Sequence, residues 1–381
     1  MKIIKLNSEI KRDLILQKIG STSAGNKILK DKMQTKLFFL KDIKTPAANI
    51  LKQDALSIGA DLAVSKNTIL CVDEKIDALL MVNDKQLKIL SKKELAQPFG
   101  LKEFASELKK YTKATEFPRE IMGVLNINED SFYEGSRFLA KNTLVKIESL
   151  IKEGADIIDI GALSSRPGSK KISAYEELSR IKSVIDEIYK NSLYKKVVFS
   201  IDSYEPLVVE YALNCGFSIV NDITGLDNDE ICKLVSKYKA KVVIMHMKGT
   251  PKDMQKNPHY ENVILEVEDF FKERIQKANE FGIEDIVLDV GIGFGKTLEH
   301  NLMLISHLSH FKKFNLPLLI GASRKSMIDK IIPSEVKDRL SGTLALHLKA
   351  ESEGANMIRC HDVKEHVQVF KVVDALKRTI I

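Results

Sequence analysis

DIVLDVGIGFGK, residues Asp285 to Lys296, joins two unlike halves. The first, Ile286 to Val290, is a short apolar, β-branched run without helical period, which predicts a strand buried on both faces. The second is a glycine-rich turn in which Gly291, Gly293 and Gly295 let the backbone bend sharply and approach a ligand closely. Asp289 stands where strand gives way to turn. An acid so placed either borders a binding site or caps the next helix, and repetition along the chain decides between them.

From residue 117 onward, short apolar strands alternate with amphipathic helices. The predicted strands are Ile121–Ile127, Asp156–Gly161, Val197–Asp202, Ser218–Asn221, Lys241–Met247, Ile286–Val290, Leu316–Gly321 and Asn356–Cys360. Helical stretches such as TLVKIESLIKEG, AYEELSRIKSVIDEIY and DRLSGTLALHLKAESEG separate them. Eight strand-helix units in about 260 residues have the size and count of a parallel eight-stranded (β/α)8 TIM barrel. An open doubly wound sheet would place a dinucleotide glycine fingerprint after its first strand, and none is there.

Polar residues gather where these strands end: Asn126, Gly161 to Gly168, Asp202, Asn221 with Asp222, His246, Asp289, Ser323 to Lys325, then Arg359, His361 and Asp362. Strand ends of one barrel share one mouth, so residues distant in sequence converge on a single pocket. A cap or an internal ion pair explains any one of them, but not eight together.

Residues 1–116 read as a small α/β N-terminal domain of unassigned role, preceding the barrel of residues 117–381. KIIKL, KLFFLKDI, LAVSKNTIL and IDALLMV predict strands; TPAANILKQDALSIGA, KQLKILSKKEL and LKEFASELKKYTK predict helices. The whole chain has 381 residues, 44% hydrophobic and 29% charged, with net charge +7. Its lysines are interleaved with acids, and no basic run alternates with aromatics, so a nucleic-acid partner is not expected. Cys71, Cys215, Cys232 and Cys360 lie far apart with no metal or redox spacing, and no apolar run has membrane-spanning length. A cytoplasmic protein without a membrane partner is expected.

The pocket residues sort by chemistry. Arg359 and His361 flank Cys360 on alternate strand positions, so their side chains point the same way, as a pair able to grip an anion. Asp202, Asn221 and Asp289 complement a flat heterocycle rich in ring N–H and amino groups, and Lys325 supplies a point charge for a carbonyl or ring nitrogen. Asn126, a neutral oxygen donor, suits Mg²⁺ otherwise held by water and phosphate oxygens. Together these residues predict a site for a heteroaromatic compound carrying phosphate or diphosphate. Cys360 reads as a strand-filling thiol, and His246 as a satisfied barrel-mouth histidine rather than a base.

MGVLNINEDSF (Met122–Phe132), LSSRPGS (Leu163–Ser169), SIDSYEP (Ser200–Pro206), IVNDITG (Ile219–Gly225), MHMKGTP (Met245–Pro251), LDVGIGFGKTLEHN (Leu288–Asn301), GASRKSMI (Gly321–Ile328), RLSGTLA (Arg339–Ala345) and RCHDV (Arg359–Val363) together resemble dihydropteroate synthase, the sulfonamide target of folate synthesis. The resemblance implies a transferase condensing 6-hydroxymethyl-7,8-dihydropterin diphosphate with 4-aminobenzoate. It implies that Asp202, Asn221, Asp289 and Lys325 hold the pterin, with Arg359 stacking on it and Met245 among the substrate-binding residues. Asn126, Arg359 and His361 would hold Mg²⁺-diphosphate; Ser165, Pro167, Phe294, Ser323 and Phe132 would form the aminobenzoate pocket. It further implies a homodimer.

Asn128-Glu129, Ala162-Leu163, Ser165, Val290 and Cys360 depart from the family pattern without removing a group of assigned chemistry. A pterin-binding methyltransferase would share the Asp/Asn grip but has no use for the SRPG, SRK and R-x-H motifs. A non-catalytic pterin binder would have lost residues among Asn126, Lys325, Arg359 and His361, and no ATP-binding segment supports a pterin-diphosphate-forming N-terminal domain.

Overall fold

A computed structural model describes residues 3–6, 11–113, 115–127, 136–162 and 172–379. Two compact units emerge, one of residues 1–115, 313–315 and 371–381, the other of 116–312 and 316–370.

The first unit is a two-layer α/β structure. Strands β1 (Thr35–Lys44), β2 (Asp61–Ala63) and β3 (Lys75–Asn83) form an antiparallel sheet in the order β1-β3-β2. Alternation in β3 sends Ile76, Ala78, Leu80 and Val82 inward, and the last three join Leu51, Leu87, Leu90, Leu101 and Leu108 from helices Thr45–Ser57, Asp84–Lys93 and Leu101–Lys110 in one core. The sequence reading departs from the structure at three places. Residues 3–6 form no strand; the strand expected over LAVSKNTIL stops at Ala63 and is followed by a 3₁₀ turn, Thr68–Leu70; and helices Arg12–Lys18 and Ser23–Lys30 precede the sheet. LAVSKNTIL fails because a Ser-Lys-Asn run sits at its centre, where turn chemistry outweighs the flanking β-branched residues.

Glu94, fully buried, has no hydrogen-bond partner for either carboxylate oxygen. Burial, then neighbouring Asp54, raises its pKa to about 7. A carboxyl whose folded pKa exceeds its unfolded value penalises the fold once deprotonated, so stability falls as pH rises from the unfolded value through 7. Glu94→Gln is therefore expected to stabilise this unit by about 1–2 kcal/mol at alkaline pH, with the gain shrinking under acid. Denaturant midpoints on both sides of neutrality check this; equal gains at both would contradict it.

The second unit is a closed parallel barrel. Its strands are β4 (Glu120–Asn126), β5 (Ile157–Gly161), β6 (Val198–Asp202), β7 (Ile219–Asp222), β8 (Lys241–Met245), β9 (Ile286–Asp289), β10 (Leu318–Ile320) and β11 (Met357–Cys360), and β11 pairs with β4 to close the ring. The barrel predicted from the strand-helix rhythm is thus the fold, with boundaries displaced by a residue or two. Full burial of β5, β7 and β9 explains why these strands show no alternation in sequence.

Met122, Ile157, Ile219, Val243, Val287, Leu319 and Met357, from seven of the eight strands, form one apolar cluster that plugs the barrel. Two residues further along the same strands come Val124, Asp159, Asn221, Met245, Asp289, Gly321 and Arg359. Because a strand repeats every second residue, this polar layer faces the same interior, one step nearer the mouth.

Candidate active site

The polar layer is built around Arg359. Its Nε donates to Asp159 Oδ2 at 2.7 Å and its NH2 to Asp202 Oδ2 at 2.7 Å. Asn221 Nδ2 donates to the same Asp159 oxygen at 3.0 Å, while Asp159 Oδ1 is buried without a hydrogen-bond partner. A buried acceptor left unpaired inside a polar layer favours a donor-bearing ligand. Burial raises Asp202 to about 7; Arg359 opposes the rise, whereas Asp159 and Asp222 reinforce it. For Arg359, burial disfavours the charge, but Asp159 and Asp202 outweigh it and hold the guanidinium ionised.

Asp289 is fixed by its own turn: Oδ1 accepts the Gly291 amide at 2.8 Å. Burial raises its pKa against the Gly291 amide, Lys325 and Arg359. The glycines are demanded by geometry. Gly291 has φ +66°, and a β-carbon there would lie 1.9 Å from the His246 carbonyl oxygen; at Gly295, φ +62°, it would lie 2.2 Å from that of Lys248. The turn is further tied by Gln255 Nε2 to the Gly293 carbonyl at 2.7 Å and by Tyr260 OH to that of Gly295 at 2.9 Å.

Lys325 reaches across this turn, donating to the Ile292 carbonyl, with Nζ 4.5 Å from the Phe294 ring centroid. Burial lowers its pKa to about 8, although Asp289 and Asp202 favour the charge. Ser323 and His361 meet at the mouth. The Ser323 hydroxyl oxygen accepts the His361 amide at 3.2 Å and lies 2.8 Å from Nδ1. The hydroxyl can donate to Nδ1 or accept from it, so either tautomer of His361 satisfies this pair.

The structure brings together Asp202, Asn221, Asp289, Lys325, Phe294 and Arg359, buries Met245 beside them, and sets Asn126, Ser323 and His361 at the strand ends. Arg359 turns inward to two carboxylates, and the exposed His361 is held by Ser323. Asp222 is a turn residue, its carboxylate accepting from Thr224 and Leu226. Cys360 is buried, and burial raises its thiol pKa. Phe132, Ser165, Pro167 and the altered loop positions 128, 129 and 163 lie outside the described residues.

Two residues were missed. Asp159 sits mid-strand in IIDIG, where a lone carboxylate in an otherwise apolar buried strand was the available signal. Lys296, in the glycine stretch itself, is buried, with Nζ 2.9 Å from His246 Nδ1, 3.1 Å from the His246 carbonyl and 3.0 Å from that of Phe294. His246 is accordingly a satisfied histidine; burial, then Lys296, depresses its pKa.

A barrel mouth with two buried carboxylates, a third half-buried, an amide, an arginine and a lysine around a glycine turn has the chemistry of an enzyme site for a flat, nitrogen-rich ring. Residues 122–361 match the family model of the pterin binding enzymes. A bifunctional dihydropteroate synthase/dihydropteroate reductase of Helicobacter pylori is 43% identical over 385 residues, covering all of both chains. Dihydropteroate synthase of Escherichia coli is 41% identical over 258 residues, 67% of this chain and 90% of its own. The crystal structure of the Xanthomonas albilineans dihydropteroate synthase with 4-aminobenzoic acid superposes with TM-score 0.62 at 33% identity, over 69% of this chain and 94% of that one. The chain belongs to the pterin-binding enzymes and, within them, to the dihydropteroate synthases. Among the described residues, no helix is long and apolar enough to cross a membrane.

Proposed function

We propose that the barrel condenses 6-hydroxymethyl-7,8-dihydropterin diphosphate with 4-aminobenzoate, giving 7,8-dihydropteroate and diphosphate. The observation that carries this reading is the Asp159–Arg359–Asp202 bridge beside Asn221 and Asp289. It offers acceptors to ring N–H and amino groups, and a cation to the ring face. Lys325 supplies a donor to the pterin carbonyl side, and the Phe294 ring and Ser323 border the aminobenzoate. In the reaction the exocyclic C–O bond breaks with its electron pair leaving on diphosphate, the aminobenzoate nitrogen forms the new C–N bond, and that nitrogen loses one proton. No strong base is needed; what accelerates the step is preorganised charge around the departing anion and the delocalised pterin cation. His361, at the mouth beside Ser323, donates a hydrogen bond to the diphosphate side.

Among the described residues, no group of three or more His, Cys, Asp or Glu side chains is placed to hold a metal ion. The exposed amide of Asn126 at the end of β4 fits a Mg²⁺ ligated chiefly by diphosphate and water. That ion would neutralise charge on the leaving group.

The Helicobacter relative matches the N-terminal unit as well as the barrel, and its name carries a second activity. This favours a second reading, reduction of the dihydropteroate product by an external two-electron donor such as a reduced nicotinamide.

The test is diphosphate release by the purified full chain with Mg²⁺ and dihydropterin diphosphate, with and without 4-aminobenzoate. Aminobenzoate-dependent dihydropteroate supports the synthase reading; binding without turnover sinks it. Reduced nicotinamide added to the same mixture reads the second activity as oxidation coupled to product.

A further inference from the structure

Behind β10 and β11 lies a buried chain of hydrogen bonds that the reaction described above does not use. The Ala322 amide donates to His347 Nε2 at 3.0 Å; His347 Nδ1 lies 2.8 Å from His366 Nε2; His366 Nδ1 lies 2.6 Å from the Asp362 carbonyl oxygen. Both imidazoles are fully buried. The backbone at the two ends fixes every proton. An amide can only donate, so His347 Nε2 is bare and Nδ1 carries the hydrogen; His366 Nε2 must accept it, and His366 Nδ1–H is left to donate to the carbonyl. One tautomer of each neutral ring satisfies all three contacts, and an added proton on either ring would set two N–H groups against each other. Burial lowers the pKa of both, in His347 with help from His366, Lys325 and His361, in His366 against Asp362 and Glu365.

The chain ends on the turn that carries Ser323 and Lys325. Arg324 takes φ +54°, a left-handed conformation costly for a residue with a side chain. Its amide donates to Thr343 Oγ1 at 2.9 Å, its carbonyl accepts from Arg339 NH1 at 3.2 Å, and its guanidinium grips Asp362 through Nε at 2.9 Å and NH2 at 2.6 Å. The turn is thus held from helix Leu340–Ser352 at its amides and from the start of helix Val363–Arg378 at Asp362.

We propose that His347 is a positioning residue for the condensation: by accepting the Ala322 amide and bracing against His366, it holds the Ala322–Lys325 turn so that Lys325 and Ser323 meet the pterin diphosphate in productive geometry. The inference rests on the synthase reading for its kinetics but not for its binding test. His347→Leu leaves the buried Ala322 amide unpaired, whereas the side-chain carbonyl of His347→Gln can reach the place of Nε2. His347→Leu is expected to lower kcat/KM for the pterin diphosphate by about 10- to 100-fold, with His347→Gln within about threefold of the wild type.

A soluble His347→Leu enzyme with wild-type kinetics overturns the proposal, as does a Gln variant impaired as much as Leu. Should His347→Leu not fold, His366→Leu serves in its place: it keeps the Ala322 contact but removes the acceptor against which His347 Nδ1–H is braced. The same direction of loss is expected, and undiminished kcat/KM would overturn the brace. A wild type that binds the pterin diphosphate without turnover removes the synthase reading alone. The brace is then judged by calorimetric affinity, which Leu should lose and Gln keep; equal affinities would refute it.

Discussion

Arg359→Ala should lower kcat/KM for the pterin diphosphate by about 10²–10³-fold or more, the size seen when one preorganised charge-stabilising donor is removed. Three consequences of the geometry converge on this result. The guanidinium bridges Asp159 and Asp202 at 2.7 Å each, so its loss leaves two carboxylates sharing one buried space without their cation. Asp202, already raised by burial, then loses the charge that opposes the rise, takes up a proton and ceases to be an acceptor for the pterin. The ring face also loses the cation that would stabilise charge when diphosphate departs. Lysine should not rescue: a single ammonium cannot point two donors in the two directions set by Nε and NH2. Because breaking a buried pair destabilises by about 3–5 kcal/mol, thermal melts must accompany the rates, and the comparison belongs at a temperature where both proteins are folded. Rates within about threefold of wild type would remove Arg359 from the site.

The sequence made the barrel legible because eight apolar strands, separated by helices, admit few arrangements. It made Asp202, Asn221, Asp289 and Arg359 legible because each stands where an apolar run stops. Asp159 escaped for the opposite reason: it lies in the middle of its run, and only the register of β5 against β6 and β7 shows it one layer above the apolar plug. Lys296 escaped because a lysine after a glycine turn looks solvated; that it points inward follows from carbonyl groups of residues 246 and 294, whose directions sequence does not encode. The pairing of Arg359 with His361 rests on strand alternation and on the family resemblance together. Alternation does not show that Asp159 and Asp202 lie within reach of the longer side chain.

Lys325 sets the second large effect, and its sign follows from pH. The lysine has a pKa lowered to about 8, and Asp202 has one raised to about 7. On the proposed reading Asp202 pairs with Arg359 and accepts from the pterin as the carboxylate, so kcat/KM is expected to rise as pH climbs through 7. On the same reading Lys325 donates to the pterin as the ammonium, so kcat/KM is expected to fall as pH climbs through 8. The free enzyme should therefore show a narrow bell with its maximum between those values, the two limbs belonging to the interacting pair as a whole. Lys325→Ala is expected to cost about 10²-fold at the optimum and to erase the alkaline limb while leaving the acid limb in place. Lys325→Met, which keeps the stem packed on the glycine turn, should do the same, and so separates lost charge from lost packing. Initial rates of dihydropteroate formation from about pH 5.5 to about pH 9.5 provide the measurement. An alkaline limb that survives both substitutions would show that another group titrates there, and the lysine would then be retained for contact with the Gly293 turn rather than for its proton.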